Sequence, residues 1–350
     1  MNHLIIFLLT FLFVYLLTFL IRKFAAKWNF VDKPEARKFH TEPTALMGGV
    51  GVLLGIIFGV CITFFICKAL LTHSYLIISY IAGLLLVSIL GLYDDRYGLK
   101  PSSKFIIQAI VALIFIFGAG LESILFNIYI TLPILLLWMV GLMNALNFLD
   151  NMDGISAGIA AILSLAFFAI GILTNNHFLS LFSIIFVGAN LGFLIHNFHP
   201  AKIFLGDAGS MLIGYTLAVF GIVLFKQIVV INGGTINFIT LLPVLILSYA
   251  IFDISLVSLT RRRDGRYIFE GGKDHSTHRI GNATGSVRVT AVMVYLINIV
   301  VVLVSLIVYK TNNPYLVLIV TVIFAGSFLF FGDKLDKIPI VITQNQLKKK

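Results

Sequence analysis

Residues 144–173 read NALNFLDNMDGISAGIAAILSLAFFAIGIL. The second part, 155–173, is an apolar run close to the roughly 20 residues that cross a bilayer as a helix. The first part sets Asn144, Asn147, Asp150 and Asp153 at intervals of three, with no Lys or Arg among them. At a helix end this spacing stacks side chains on one face. Two carboxylates without a local partner beside a bilayer need a metal or a basic group from elsewhere. Asp153 also suits a helix cap for the run that follows it.

The same alternation extends along all 350 residues. Apolar runs occupy 2–21, 45–67, 75–92, 105–121, 124–143, 155–173, 178–196, 210–230, 236–259, 289–309 and 315–331. The expectation is an all-α, polytopic membrane protein with about 11 transmembrane helices. Composition agrees: 59% of residues are hydrophobic and 11% charged, against roughly 25% charged in a soluble domain. Pro243, inside the ninth run, is tolerable in a membrane helix whose neighbours satisfy the freed carbonyl. Gly51, Gly55 and Gly59 have the four-residue spacing of close helix packing.

Charge sets the expected orientation. The first run lacks a preceding basic residue and is followed by Arg22, Lys23 and Lys27, as in an uncleaved anchor with its N-terminus outside. With 11 spans the C-terminus is then cytoplasmic. Twenty-two of the 25 Lys and Arg fall in inner loops or the tail; Lys68, Lys226 and Lys310 do not. This is the positive-inside bias. Of 15 Asp and Glu, all but Glu122 and the intramembrane Asp253 fall on the same face. The net charge of +10 is dispersed over short loops, which excludes nucleic acid as a partner. Cys61 and Cys67 share one apolar run and suggest neither a disulfide framework nor a zinc site.

Five inner loops carry the candidate chemistry. The first supplies Lys33, Arg37, Lys38 and His40, able to attract a phosphorylated substrate or simply to anchor the topology. The second carries adjacent Asp94 and Asp95; such a pair is tolerated where a cation or a proton-accepting role compensates, or in a solvated turn closed by Gly98. Asn144, Asn147, Asp150 and Asp153 form the third. In the fourth, Asp207 stands between Gly206 and Gly209 at the start of a run, where backbone can approach a ligand and a helix N-terminus favours phosphate; His196 and His199 read as structural. The fifth holds Lys273, His275, His278 and Arg279, a cluster suited to phosphate. Its arginine triplet, 261–263, reads as a topology anchor. Carboxylates are hard ligands suited to Mg²⁺. Together the loops match the needs of Mg²⁺-assisted phosphoryl transfer, and no Walker loop or kinase signature is present.

Val31 to Gly49, Asp94-Asp95, Asn147 to Gly154, Gly206 to Ser210 and Asp274 to Arg279, in that order, resemble the polyprenyl-phosphate N-acetylhexosamine-1-phosphate transferase family over nearly the whole chain. The resemblance implies a single transmembrane catalytic domain over 1–331 and a basic cytoplasmic tail over 332–350. It implies transfer of N-acetylhexosamine 1-phosphate from a UDP-N-acetylhexosamine to undecaprenyl phosphate with release of UMP, on the cytoplasmic face of the bacterial inner membrane. By that resemblance Asp94 and Asp95 handle the lipid phosphate and the metal, and either acts as base. Asp207 matches the Mg²⁺ ligand, with Mn²⁺ as an alternative ion. Asn147, Asp150 and Asp153 match the nucleotide side; His275, His278 and Arg279 match the loop that holds the sugar-nucleotide phosphates. A homodimer is compatible with it.

Two departures stand out. The family's Asp-Gly-x-Asp-Gly is Asp150-Asn151-Met152-Asp153-Gly154 here, and Thr277 stands between His275 and His278 where a third histidine is common. The fifth loop also lacks the pattern of the muramoyl-pentapeptide enzyme, which points to a smaller sugar nucleotide. The rival reading is a lipid or sugar-nucleotide transporter or flippase. Transporters place ionisable residues near the bilayer midplane; here Asp253 alone is intramembrane. A non-catalytic scaffold has no need of carboxylates in four loops.

Overall fold

The computed structural model describes residues 2–28, 30–32, 44–66, 74–121, 124, 126–268 and 272–339. Lys33, Arg37, Lys38, His40, Cys67, Lys68 and Glu122 lie outside them.

Each long apolar run forms a helix, because in a bilayer every backbone amide and carbonyl must be satisfied within its own segment. The order is α1 (His3–Lys27), α2 (Gly48–Ile66), α3 (Ser74–Tyr97), α4 (Pro101–Gly118), α5 (Ile128–Leu149), α6 (Ile155–Leu173), α7 (His177–Asn197), α8 (Gly206–Ile231), α9 (Leu242–Ile246), α10 (Ser248–Arg263), α11 (Ser276–Thr284), α12 (Val287–Thr311) and α13 (Pro314–Asp336). Among the described residues, ten single helices are long and apolar enough to span a membrane, and the pair Phe238–Ile246 and Ser248–Arg263, bent by 70°, makes eleven if counted as one span. The chain is thus an all-α polytopic membrane protein. Two two-residue strands, Val31–Asp32 and Thr44–Ala45, pair antiparallel at one end.

The ninth run is a broken span. Pro243 sits in the first turn of α9, where its missing N–H costs no helical bond. The bend falls four residues later, at Leu247, whose N–H still bonds the Pro243 carbonyl (3.0 Å). α13 continues to Asp336, five residues past the apolar run.

α8 is the axis of the bundle, with 94% of its most apolar window buried. It packs on α2, α3 and α5. Gly91 of α3 lets the two backbones meet: a Cβ there would lie 2.3 Å from the Ala208 backbone. Tyr215 donates to the Ser79 and Tyr80 carbonyls (3.3 Å each), and Trp138 Nε1 donates to the Ala218 carbonyl (3.0 Å). Such interhelical bonds contribute about 0.6–2 kcal/mol each in a bilayer. Gly55 and Gly59 of α2 meet Val14 and Thr10 of α1, so that glycine row serves helix packing.

Candidate active site

The polar ends of α3, α4, α5 and α8 converge on one ammonium group. Lys104 lies in the first turn of α4, which Pro101 opens. Its Nζ pairs with Asp94 Oδ2 of α3 (2.8 Å) and Asp207 Oδ2 of α8 (2.6 Å), and donates to Asn147 Oδ1 of α5 (3.3 Å). Asn147 Nδ2 donates to Asp207 Oδ1 and to Ser210 Oγ, 2.8 Å each. Asp94 Oδ1 accepts the Leu99 amide (2.6 Å). Three oxygens on three helices thus surround one cation.

The adjacent carboxylates are divided by their helix. Asp94 faces Lys104, whereas Asp95 turns to the start of α8 and accepts the Asp207 amide (2.8 Å) and the Ala208 amide (3.3 Å). A carboxylate here satisfies orphan donors and complements the helix dipole. Gly206 makes the approach possible: its φ is +73°, and a Cβ on it would stand 2.6 Å from Asp95 Oδ2. Asp150, just past α5, keeps partial exposure. Burial, then the charges of Asp207, Asp95 and Asp153, push its carboxyl well above the usual carboxylate range.

Asp153 faces away from this group. Its Oδ2 pairs with His199 Nδ1 (2.7 Å) and accepts the Ala201 amide (3.0 Å). The α6 cap position falls one residue later, on Gly154. His196 contacts the Tyr15 carbonyl (3.0 Å) and His199 is held by Asp153. Asn144 points into the bundle, donating to Gln108 Oε1 and the Val140 carbonyl, 2.7 Å each.

The histidine loop forms the second half of the site. Asp274, 1% exposed, takes a two-pronged contact from Arg261 (2.8 and 2.6 Å) and a third bond from Arg266 (2.9 Å). Burial alone would raise the Asp274 carboxyl; the Arg261 guanidinium outweighs it and holds Asp274 down at about 2. Arg261 is therefore a buried ion-pair partner, whereas Arg262 and Arg263 of the same triplet are exposed. Arg279 is equally buried and donates to the Asp274 carbonyl (2.9 Å) and the Leu335 carbonyl (3.0 Å). Lys273 is half-buried beside them. His275 and His278, ring centroids 5.8 Å apart, are both nearly buried. Burial, then the neighbouring His275, holds His278 down at about 3.

The two halves meet through the end of α5. The Phe148 ring stands edge-on to His275 at 5.6 Å. The Thr277 hydroxyl donates to Asn151 Oδ1 (2.6 Å), and Asn151 Nδ2 donates to the Phe148 carbonyl (2.7 Å). The two departures noted in the sequence are thus partners. Lys104 and Arg261 were missed by sequence reading as members of this group. Among the described residues, no three His, Cys, Asp or Glu converge as a metal-binding group. The carboxylate and amide oxygens of Asp94, Asp207 and Asn147 face the Lys104 ammonium instead.

Residues 77–225 match the family model described as glycosyl transferase family 4, a span running from α3 to α8. The chain is 30% identical over 306 residues to the probable undecaprenyl-phosphate N-acetylglucosaminyl 1-phosphate transferase of Bacillus subtilis, covering 84% of this chain and 81% of that one. It is 32% identical over 307 residues to the decaprenyl-phosphate N-acetylglucosaminephosphotransferase of Mycobacterium tuberculosis, covering 79% and 75%. It is 33% identical over 237 residues to the phospho-N-acetylmuramoyl-pentapeptide-transferase of Halalkalibacterium halodurans, covering 61% and 72%. A multi-pass bundle whose carboxylates gather at one end, with relatives of this kind along most of its length, belongs to the family of polyprenyl-phosphate sugar-1-phosphate transferases.

Proposed function

We propose that this chain transfers N-acetylglucosamine 1-phosphate, or a close N-acetylhexosamine analogue, from its UDP derivative to undecaprenyl phosphate. An oxygen of the lipid phosphate attacks the phosphorus that bears the sugar. The bond from that phosphorus to the bridging oxygen breaks, and UMP leaves with the bridging oxygen. The observation that carries the reading is the Lys104 ammonium held between Asp94 and Asp207, at a helix end joined to the histidine loop through Phe148 and Asn151. The relatives that match the chain over most of its length, named for N-acetylglucosamine, support the sugar.

Asp94, Asp207 and the Asn147 amide oxygen are the residues that would hold a Mg²⁺ or Mn²⁺ ion. When bound, the ion neutralises diphosphate oxygens. The protein's own groups do the rest. Lys104 balances the carboxylates, and His275 and His278 face the nucleotide phosphates. Asp150, whose carboxyl burial and the neighbouring acids push above the usual carboxylate range, takes or returns a proton at the lipid phosphate. Asp95 holds the α8 N-terminus in register. The charge asymmetry supports an inner-membrane location with this site on the cytoplasmic face.

The test is UMP release by purified protein with undecaprenyl phosphate, Mg²⁺ and a panel of UDP-hexosamines. Turnover with a UDP-N-acetylhexosamine is expected, and inertness across the panel rejects the reading. Asp207→Asn and Lys104→Met are each expected to lower kcat by at least about 100-fold, on the scale of losing one preorganised charged group. Activity near wild type in either variant removes that residue from the site.

A further inference from the structure

Asp253 lies in α10, inside the membrane-spanning part of the broken ninth span, and is 0% exposed. An ionisable side chain in such a place is costly and is retained for a function or a partner. Both of its oxygens are engaged. Oδ1 accepts the Ser276 amide (2.8 Å) and the Ser276 hydroxyl (2.5 Å). Oδ2 faces His275 Nδ1 at 2.9 Å. Ser276 Oγ is held in turn by the Tyr249 hydroxyl (2.9 Å). The network ends at His275, because the second ring nitrogen, Nε2, makes no hydrogen bond among the described residues and is not a buried unpaired atom. A carboxylate behind an imidazole fixes which nitrogen carries the buried proton and which one is presented.

We propose that Asp253 is a positioning residue for the transfer reaction. It accepts the Nδ1 proton of His275 and so aims Nε2 at the diphosphate of the sugar nucleotide. The inference rests on the transferase reading above and adds to it a residue that never touches substrate. A carboxylate needed only to cap α11 would be satisfied by Ser276, yet one oxygen is given over to the ring. The Phe148 edge and the Asn151–Thr277 bond confine the same loop from the other side.

The experiment is a double-mutant cycle on Asp253 and His275 in the full-length protein, read as kcat/KM for UDP-N-acetylglucosamine and KM for undecaprenyl phosphate. Asp253→Asn is expected to lower kcat/KM for the sugar nucleotide by about 10–100-fold, the loss seen when the carboxylate behind an oriented histidine is removed, and to leave KM for the lipid unchanged. In a His275→Gln background the same change should cost less than about twofold, since Asp253 acts only through that ring. Multiplying losses, or an equal rise in both KM values, overturn the proposal. Tyr249→Phe cuts the network behind Ser276 without touching the dyad; it should stay within about twofold of wild type, and a loss matching that of Asp253→Asn would assign Asp253 a structural role. Asp253→Glu, which keeps the charge, should recover part of the activity if Asp253→Asn is poorly folded, and no recovery also counts against the dyad. If wild type turns over the sugar nucleotide and Asp253→Asn equals it, the dyad fails and the transferase reading stands. If wild type is inert with every sugar nucleotide, the transferase reading fails, and binding of inorganic pyrophosphate decides the dyad: weakening by about tenfold in Asp253→Asn supports it, and unchanged binding refutes it.

Discussion

At the scale of single residues, the strongest commitments are the charges that the fold buries. Asp274 is locked by Arg261 and Arg266, and removing one partner of a buried pair leaves an uncompensated charge worth about 3–5 kcal/mol. Its carboxyl is held at about 2, below the roughly 3.9 of an unfolded chain. The stabilisation is therefore complete above that unfolded value and is lost as pH falls towards 2. His278 acts in an overlapping range. It is held at about 3, below the roughly 6.5 of an exposed imidazole, so the unfolded chain takes up a proton the folded chain refuses. Stability falls as pH drops from about 6.5 towards 3. Thermal unfolding in detergent micelles should show a lower midpoint at pH 5 than at pH 7, and His278→Asn should flatten that slope. An unchanged slope would contradict the buried neutral imidazole. Lys104 teaches a different lesson. In sequence it is one of three basic residues in a short loop, indistinguishable from a topology charge. Its role depends on partners 43 and 103 positions away, which no local pattern encodes.

At the scale of elements, the helices were legible and their joints were not. Span length and apolar content locate ten helices, with ends off by up to about six residues, because the bilayer fixes length and apolarity but not the polar turns beyond it. The position of the break in the ninth span was not legible. Pro243 marks the region, but the bend follows from the helix restarting at Pro243 and ending at Leu247. Asp94 and Asp95 were indistinguishable as neighbours; successive helical residues point about 100° apart, so one meets Lys104 and the other the amides of α8. The bond between Asn151 and Thr277 couples the end of α5 to α11, and it makes a prediction about the two loops together. Thr277→Val and Asn151→Ala should each raise KM for the sugar nucleotide. The double variant should be no worse than the weaker single one, with a coupling energy of about 0.5–3 kcal/mol. Strictly additive losses would show that the bond does not join the loops.

At the scale of the whole molecule, the acids and the cations that matter to the site collect at one end of the bundle, as the loop charges foretold. What composition could not foretell is how the far end of the chain enters that group. The Leu335 carbonyl receives Arg279, the Asp336 carboxylate pairs with Arg279 and Arg263, and the Pro339 carbonyl receives Asn282. By apolar content the last span ends at residue 331, and the segment after it reads as a basic tail. In the folded chain its first residues are a buttress for the histidine helix. Cutting the chain after residue 331 keeps every motif and every apolar run, yet removes the carbonyls that hold α11 in place. Such a truncation should still insert in the membrane and lose most UMP release, whereas a cut after residue 339 should retain it; equal activity of the two would show that the buttress is idle. A deletion series read without this contact would credit catalysis to a segment that has no chemistry of its own, and an affinity handle fused close behind Asp336 would tug on the active site from the side where nobody would think to look.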